Sequence, residues 1–386
     1  MISWLASPLS SPNTWKALLV HPLWWTALMC VLMQFVFKGL REWRKYGRRL
    51  DPPTPLLLRT VFLGAVSGGV CSVLISFWQW EVRPMELWWI WGWTVVLGLF
   101  RLRWACVAYG GGLLVLFALV ASHVSAEQVP PEWLDVWRRF SMVTERDWLY
   151  LIGLLHVLEW LLIRMDGLAG FIPETVRHRD GYMVGGFRLQ KLWAVPLIVP
   201  TAGGWLPLPL LLGFSRLNLS MLHQQQKRRA STFALLYALV LAGLTWASTW
   251  WTPLIWVAAV FSVVGHEAIY LIGKWREKRR EPRFASHFRG MSVLAVLPDT
   301  PASQMGIRPG ERITRMNGVH IRTVDDIRLA MQKSPAYCKL EVVDEMGETR
   351  LVQRAVYEGD PSDLGVIPSP GPITRISSPV SEAVSP

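Results

Sequence analysis

Apolar residues run almost without interruption over 18–37, 56–78, 86–100, 104–121, 148–163, 192–214, 232–250 and 252–272. A bilayer core about 30 Å thick takes about 20 helical residues, so the first, second, seventh and eighth runs are long enough to cross, and the third and fifth are short. Lys and Arg set the orientation. The loop after the first run carries Lys38, Arg41, Arg44, Lys45, Arg48 and Arg49 against the acid Glu42, which predicts a cytoplasmic loop and an outside N-terminus. Alternation then places residues 79–85 and the acidic segment 122–147 outside. The link with Arg101 and Arg103 falls inside, as does the 164–191 loop with Arg164, Arg177, Arg179, Arg188 and Lys191. No basic stretch or small-residue cleavage site precedes the first run, so it reads as a retained span.

The sixth run breaks the alternation if it crosses, because Arg216, Lys227, Arg228 and Arg229 in the next loop also belong in the cytoplasm. The run reads WAVPLIVPTAGGWLPLPLLLGF. Pro196, Pro200, Pro207 and Pro209, with Gly203 and Gly204 at its centre, predict a broken helix that enters the membrane and returns, buried against other helices so that its freed backbone groups avoid lipid. The expected fold class is therefore a multi-pass α-helical membrane domain of about seven spans plus a Pro-rich re-entrant hairpin, with eight spans as the alternative, followed by a small α+β domain. Outside the spans, residues 124–147 place Trp133, Val136, Trp137 and Phe140 on one helical face, as in a short helix lying on the outer surface.

From Gly290 the texture changes to short alternating strands and turns. MSVLAVL reads as a strand, PASQMGI as a short helix, PGERITRMNG as a strand ending at an Asn317-Gly318 turn, and TVDDIRLAMQ as a helix capped by Thr323. KLEVVDEMGETRLVQRAV reads as a hairpin turning at Glu345, Met346 and Gly347. The predicted divisions are a membrane domain over 1–273, a basic linker over 274–289, the small domain over 290–358 and a Pro/Ser-rich disordered tail over 359–386.

Composition agrees with this plan. Of 386 residues 18% are charged and 52% hydrophobic, and the mean hydropathy is +0.28, too apolar for a soluble chain of this length. Several of the 23 Trp fall in pairs beside apolar runs, where an indole sits at headgroup level. The net charge of +12 lies in short loops next to the spans, which points to anionic lipid and not to nucleic acid. Cys30, Cys71 and Cys106 lie in apolar segments and Cys338 in the C-terminal domain, so no disulfide framework is implied.

The stretch GMSVLAVLPDTPASQMGIRPGERITRMNGVHI resembles a bacterial PDZ domain. The resemblance implies a peptide groove between a strand and the second helix, filled by strand addition. On this sequence the groove residues would be Phe288, Arg289, Gly290, Met291 and Val293 on the strand and Val324, Ile327 and Met331 on the helix; core packing accounts equally well for Ile327 and Met331.

Two polar motifs lie within spans. Gly265-His266-Glu267-Ala268-Ile269-Tyr270 is similar to the H-E-x-x-H signature of site-2 intramembrane metalloproteases, but Tyr270 stands where the second imidazole belongs, and the one third-ligand candidate, Asp166, precedes the motif. His156 and Glu159 share a helical face in LIGLLHVLEWLL, where ionisable groups need partners; Glu159 with His266 is one such pairing. This reading assigns no catalytic residue, metal or cofactor.

Together with the PDZ-like end, GYMVGGFRLQKLWAVPLIVP, QKRRASTFALLYALVLAGL and GHEAIYLIG resemble the MinJ-type membrane PDZ proteins of Gram-positive bacteria. That resemblance implies a division-site adaptor bridging the polar scaffold DivIVA to the inhibitors MinC and MinD, in the cell membrane with its PDZ domain cytoplasmic and concentrated at septum or poles. The alternative is a degenerate intramembrane metalloprotease acting in membrane signalling.

Overall fold

The computed structural model describes residues 12–78, 80–178, 181–285, 290–344, 346–357 and 363–370. A first helix α1 (Pro12–Val20) leads into α2 (Pro22–Tyr46), α3 (Pro53–Ser76), α4 (Pro84–Phe100) and α5 (Val107–His123). The surface helix α6 (Leu134–Ser141) follows, then α7 (Glu145–Asp166), α8 (His223–Ala247) and α9 (Leu254–Arg279). Prolines open α2, α3 and α4, where the missing N–H leaves nothing unsatisfied. Five helices are long and apolar enough to cross a membrane: α2, α3, α7, α8 and α9. The chain is thus a membrane protein. α4 and α5 have 17 residues each, about 25 Å of helix, shorter than the bilayer core. α6 lies where the amphipathic segment predicts it, with Phe140 buried and Trp133 exposed.

The Pro-rich run does go out and return, but as β-structure. Strand β1 (Ile172–Arg177) pairs with β2 (Met183–Thr201), and β2 pairs in antiparallel register with β3 (Gly204–Asn218) through the tight turn at Ala202-Gly203. This corrects the expected broken helix, and the proline positions give the reason. Pro196 stands opposite Pro209, and neither has an N–H, so they form a non-hydrogen-bonded pair. Ile198 with Pro207 and Pro200 with Trp205, two and four residues along, share that character. All four prolines therefore fall where an N–H would point out of the ladder. A helix would have had to absorb about 3 kcal/mol for each interior proline.

On the outer edge of β2 two of the remaining donors are met by helix side chains. Leu192 N–H donates to Gln34 Oε1 at 3.0 Å, and Ile198 N–H donates to Ser72 Oγ at 2.9 Å. Helix α3 approaches β2 through Gly64 and Gly68, where an added Cβ would lie 2.3 Å from the Ala194 carbonyl oxygen and 2.6 Å from that of Pro196. Sheet edges inside a membrane domain must be closed by protein in this way.

The C-terminal domain holds the expected elements. Its sheet runs in the order β8-β7-β5-β4-β9, with β4 (Met291–Val296), β5 (Arg312–Met316), β7 (Tyr337–Val343), β8 (Thr349–Ala355) and β9 (Val366–Pro368); β6 (Val319–His320) pairs with β5. Helices α10 (Pro301–Gln304) and α11 (Val324–Lys333) pack on it. Asn317 and Gly318 turn with positive φ of 48° and 80°, as a two-residue hairpin requires. Of the expected turn at 345–347, Glu345 lies outside the described residues. Two boundaries shift: α9 continues to Arg279, into the expected linker, and β9 extends the sheet beyond residue 358. A three-residue strand ending in proline carries too little alternation to stand out from a Pro/Ser-rich tail.

The sheet docks on the hairpin base. Phe187 of β2 packs against Phe284 and Leu294, with Phe171 and Ile367 beside them, and Ser369 Oγ donates to the Phe284 carbonyl.

Candidate functional site

Two groups of residues stand out, one inside the helical bundle and one on the C-terminal sheet. In the bundle, α7 presents His156 and Glu159, and α9 presents His266 and Glu267. His156 Nδ1 lies 2.8 Å from the Ile152 carbonyl of its own helix, which makes Nδ1 the protonated nitrogen and leaves Nε2 as a lone pair. That Nε2 is 3.8 Å from Glu159 Oε2, and the rings of His156 and His266 are 5.2 Å apart. The expected closeness of α7 and α9 polar groups is found, with His156 as the partner of His266.

Glu267 turns the other way. It accepts from Tyr109 Oη at 2.6 Å and pairs with Arg103, whose guanidinium lies 3.9 Å over the Tyr270 ring. The residue in place of the second imidazole thus serves as a cation-π platform. Asp166 is far from this group: its carboxylate takes Lys191, Arg59 and Trp193 at the junction of α7, α3 and β2.

Two members of the bundle site carried no sequence signal. Cys106, at the N-cap of α5, places Sγ 4.0 Å from His156 Nε2 and 3.9 Å from His266 Nε2. Arg216 of β3 lines, with Glu159, His156, His266 and Tyr270, a cavity of about 70 Å³. Both lie at sequence separations that no local motif spans.

On the sheet, Met291 and Val293 are fully buried, and β4 has neighbours on both sides, β5 and β9. The strand expected to offer its edge therefore sits inside the sheet; among the described residues the edge strands are β8 and β9. Gly290 has φ 148° and a site for Cβ only 2.8 Å from the Ile313 carbonyl oxygen, so it marks a close backbone approach. Phe288 and Arg289 lie outside the described residues. Ile327 is 3% exposed, a core position, while Val324 and Met331 are half-buried at the edge of the same cluster. The sequence LGVIP over 364–368 was the available clue to β9: a glycine with positive φ at Gly365, followed by two β-branched residues.

Comparison with known proteins agrees with this geometry. A family model for the PDZ domain matches residues 292–343. The cell division topological determinant MinJ of Bacillus subtilis (strain 168) is 26% identical, over 90% of this chain and 92% of its own length. The chain is similar to MinJ proteins along nearly its whole length. The probable cell division topological determinant MinJ of Lacticaseibacillus paracasei is 28% identical, over 91% of this chain and 97% of its own. No solved structure matches. The matched share of the chain is far longer than the PDZ domain alone.

Proposed function

We propose that this chain is a membrane-anchored adaptor for division-site placement, whose spans localise it and whose cytoplasmic loops and PDZ domain bind proteins. The observation that carries the reading is the similarity to MinJ division determinants over 90% of the chain, joined to a PDZ domain whose sheet ends in the edge strands β8 and β9. Strand addition at such an edge is the recognition mode of this domain class. The sheet's packing on the base of the hairpin supports a further role, coupling partner binding to the membrane part. The partners this reading assigns are a polar scaffold of the DivIVA kind and inhibitors of the MinC and MinD kind, with the PDZ domain in the cytoplasm and the protein enriched at septum and poles.

The adaptor is proposed to be non-enzymatic. Tyr270 replaces an imidazole and Glu267 is bound to Arg103 and Tyr109, an arrangement that favours structure over proteolysis. The test is expression of the fluorescently tagged full-length chain in Bacillus subtilis lacking its own MinJ, with co-purification from membranes. Septal enrichment and recovery of DivIVA and MinD are expected. A uniform membrane signal with neither partner recovered refutes the reading.

A further inference from the structure

The bundle site has a chemistry that the adaptor reading leaves unused. Cys106, His156 and His266 come from three segments separated in sequence, and their ligand-type atoms lie within 4.8 Å of one another. Cys106 and His156 are buried and His266 is half-buried. We propose that these three side chains form a binding site for a zinc-type divalent transition-metal ion, with the Glu159 carboxylate as the nearest fourth donor.

Hydrogen-bond bookkeeping leads to this assignment. The Ile152 carbonyl occupies His156 Nδ1, so His156 Nε2 is an acceptor facing Cys106. His266 Nε2 faces the same sulfur, while its Nδ1 is buried without a hydrogen-bond partner among the described residues. A thiol has one hydrogen and can donate to only one of the two imidazoles; the other can bond the sulfur only as a weak Nε2–H···S donor, which for His266 would leave Nδ1 a bare buried lone pair. With the thiol deprotonated, a cation at the centre is met by the sulfur and both nitrogens at once, and burial of three polar side chains in a membrane bundle is accounted for.

The dimensions fit. An ion bound tetrahedrally at about 2.3 Å from sulfur and about 2.05 Å from nitrogen holds those ligands about 3.6 Å apart. The observed S···N separations are 4.0 and 3.9 Å, so a small inward movement of each side chain closes the site. One thiolate and two imidazoles form a borderline-soft donor set that selects zinc over magnesium or calcium. The cavity of about 70 Å³ reaches both histidines and Glu159, and a second of about 250 Å³, bordered by Arg101 and Arg103, reaches Cys106. A metal there would staple the start of α5 to α7 and α9. It differs in place and ligands from a protease centre built on His266 and Asp166, since Asp166 is held elsewhere by Lys191.

The full-length protein, purified in detergent without chelator, is the material for the test. Bound metal measured by mass spectrometry should be about one zinc per chain, and cobalt(II) in its place should give tetrahedral ligand-field bands with a thiolate-to-metal charge-transfer band. Cys106→Ser should abolish the charge-transfer band, and His156→Ala or His266→Ala should weaken cobalt binding by at least about tenfold, as loss of a direct ligand must exceed the effect of an outer-shell change. Cys71→Ser, at a buried cysteine of α3, should leave the spectrum unchanged. A Cys106→Ser protein that retains the band overturns the proposal. Should the variants fail to fold, the wild-type protein still decides: zinc raises its melting temperature and EDTA lowers it, and a melting temperature indifferent to both refutes the site.

Discussion

Lys191 of β2 and Asp166 at the end of α7 form an ion pair at 3.1 Å with side chains 2% and 0% exposed. Lys191 Nζ also donates to Thr60 Oγ1 at 3.0 Å, and Arg59 reaches the other carboxylate oxygen at 3.0 Å. Two helices and the hairpin are tied together at one carboxylate. Asp166→Ala leaves a buried ammonium without its partner, and a loss of about 3–5 kcal/mol is expected. Thermal melting in detergent measures it; Asp166→Leu with Lys191→Met should recover most of the loss, because the uncompensated charge is then gone as well.

Helix α3 offers an internal control for its packing on the hairpin. At Gly68 an added Cβ would lie 2.6 Å from the Pro196 carbonyl oxygen, whereas at the adjacent Gly69 nothing lies within 4 Å. Gly68→Ala is expected to destabilise by about 1–3 kcal/mol through overpacking, and Gly69→Ala to stabilise by up to about 1 kcal/mol through helix propensity. Melting temperatures that move together for the two variants would argue against close packing of α3 on β2.

Topology is open to cysteine labelling. Because the 183–218 segment leaves and returns on one side as a β-hairpin, cysteines placed at Arg177 and Gln225 should both be shielded from an impermeant thiol reagent in intact cells. The native Cys338 adds little background, since burial pushes its thiol up to about 11. Labelling at 225 with protection at 177 would require the segment to cross.

Ile327 separates core from groove. At 3% exposure, a lysine there buries an unpaired ammonium, and Ile327→Lys should unfold the PDZ domain at a cost of several kcal/mol. Met331→Lys, at a half-buried position, should leave it folded. Proteolysis of the full-length protein distinguishes a loosened domain from a folded one.

The start of α11 carries a pH signature. Thr323 Oγ1 accepts from Asp326 N–H at 3.3 Å, and Asp326 accepts from Arg322 N–H at 2.9 Å and from Thr323 N–H at 2.9 Å. The Arg322 and Thr323 amides hold the Asp326 carboxyl below its usual range. A depressed folded pKa means that the stabilisation is present above the unfolded value of 3.8 and is lost as pH falls through the folded value. Thr323→Ala should cost about 1 kcal/mol near neutrality. Asp326→Asn should remove the part of the acid-induced loss that belongs to this helix, as circular dichroism from pH 6 down to about pH 2 would record.

Much of this architecture was legible along the chain because its signals are local. Seven helices coincide with seven apolar runs, and five of them are long and apolar enough to cross a membrane, features that length and hydropathy alone reveal. The PDZ elements followed from turn residues, caps and alternation at short range, as at Asn317-Gly318 and Thr323. Even the return of the Pro-rich run was readable, from basic residues on both its flanks. Its β-character depended on a subtler pattern, the shared parity of Pro196 with Pro200 and of Pro207 with Pro209, which acquires meaning only once the two strands are aligned. The rest was settled in three dimensions. β9 displaces β4 from the sheet edge, and Cys106 meets His156 and His266, through contacts between residues 50 or more positions apart. Spacing along a sequence sets which side chains share one helix face; which faces meet is determined by packing of the whole bundle, and that is where both candidate sites were assembled.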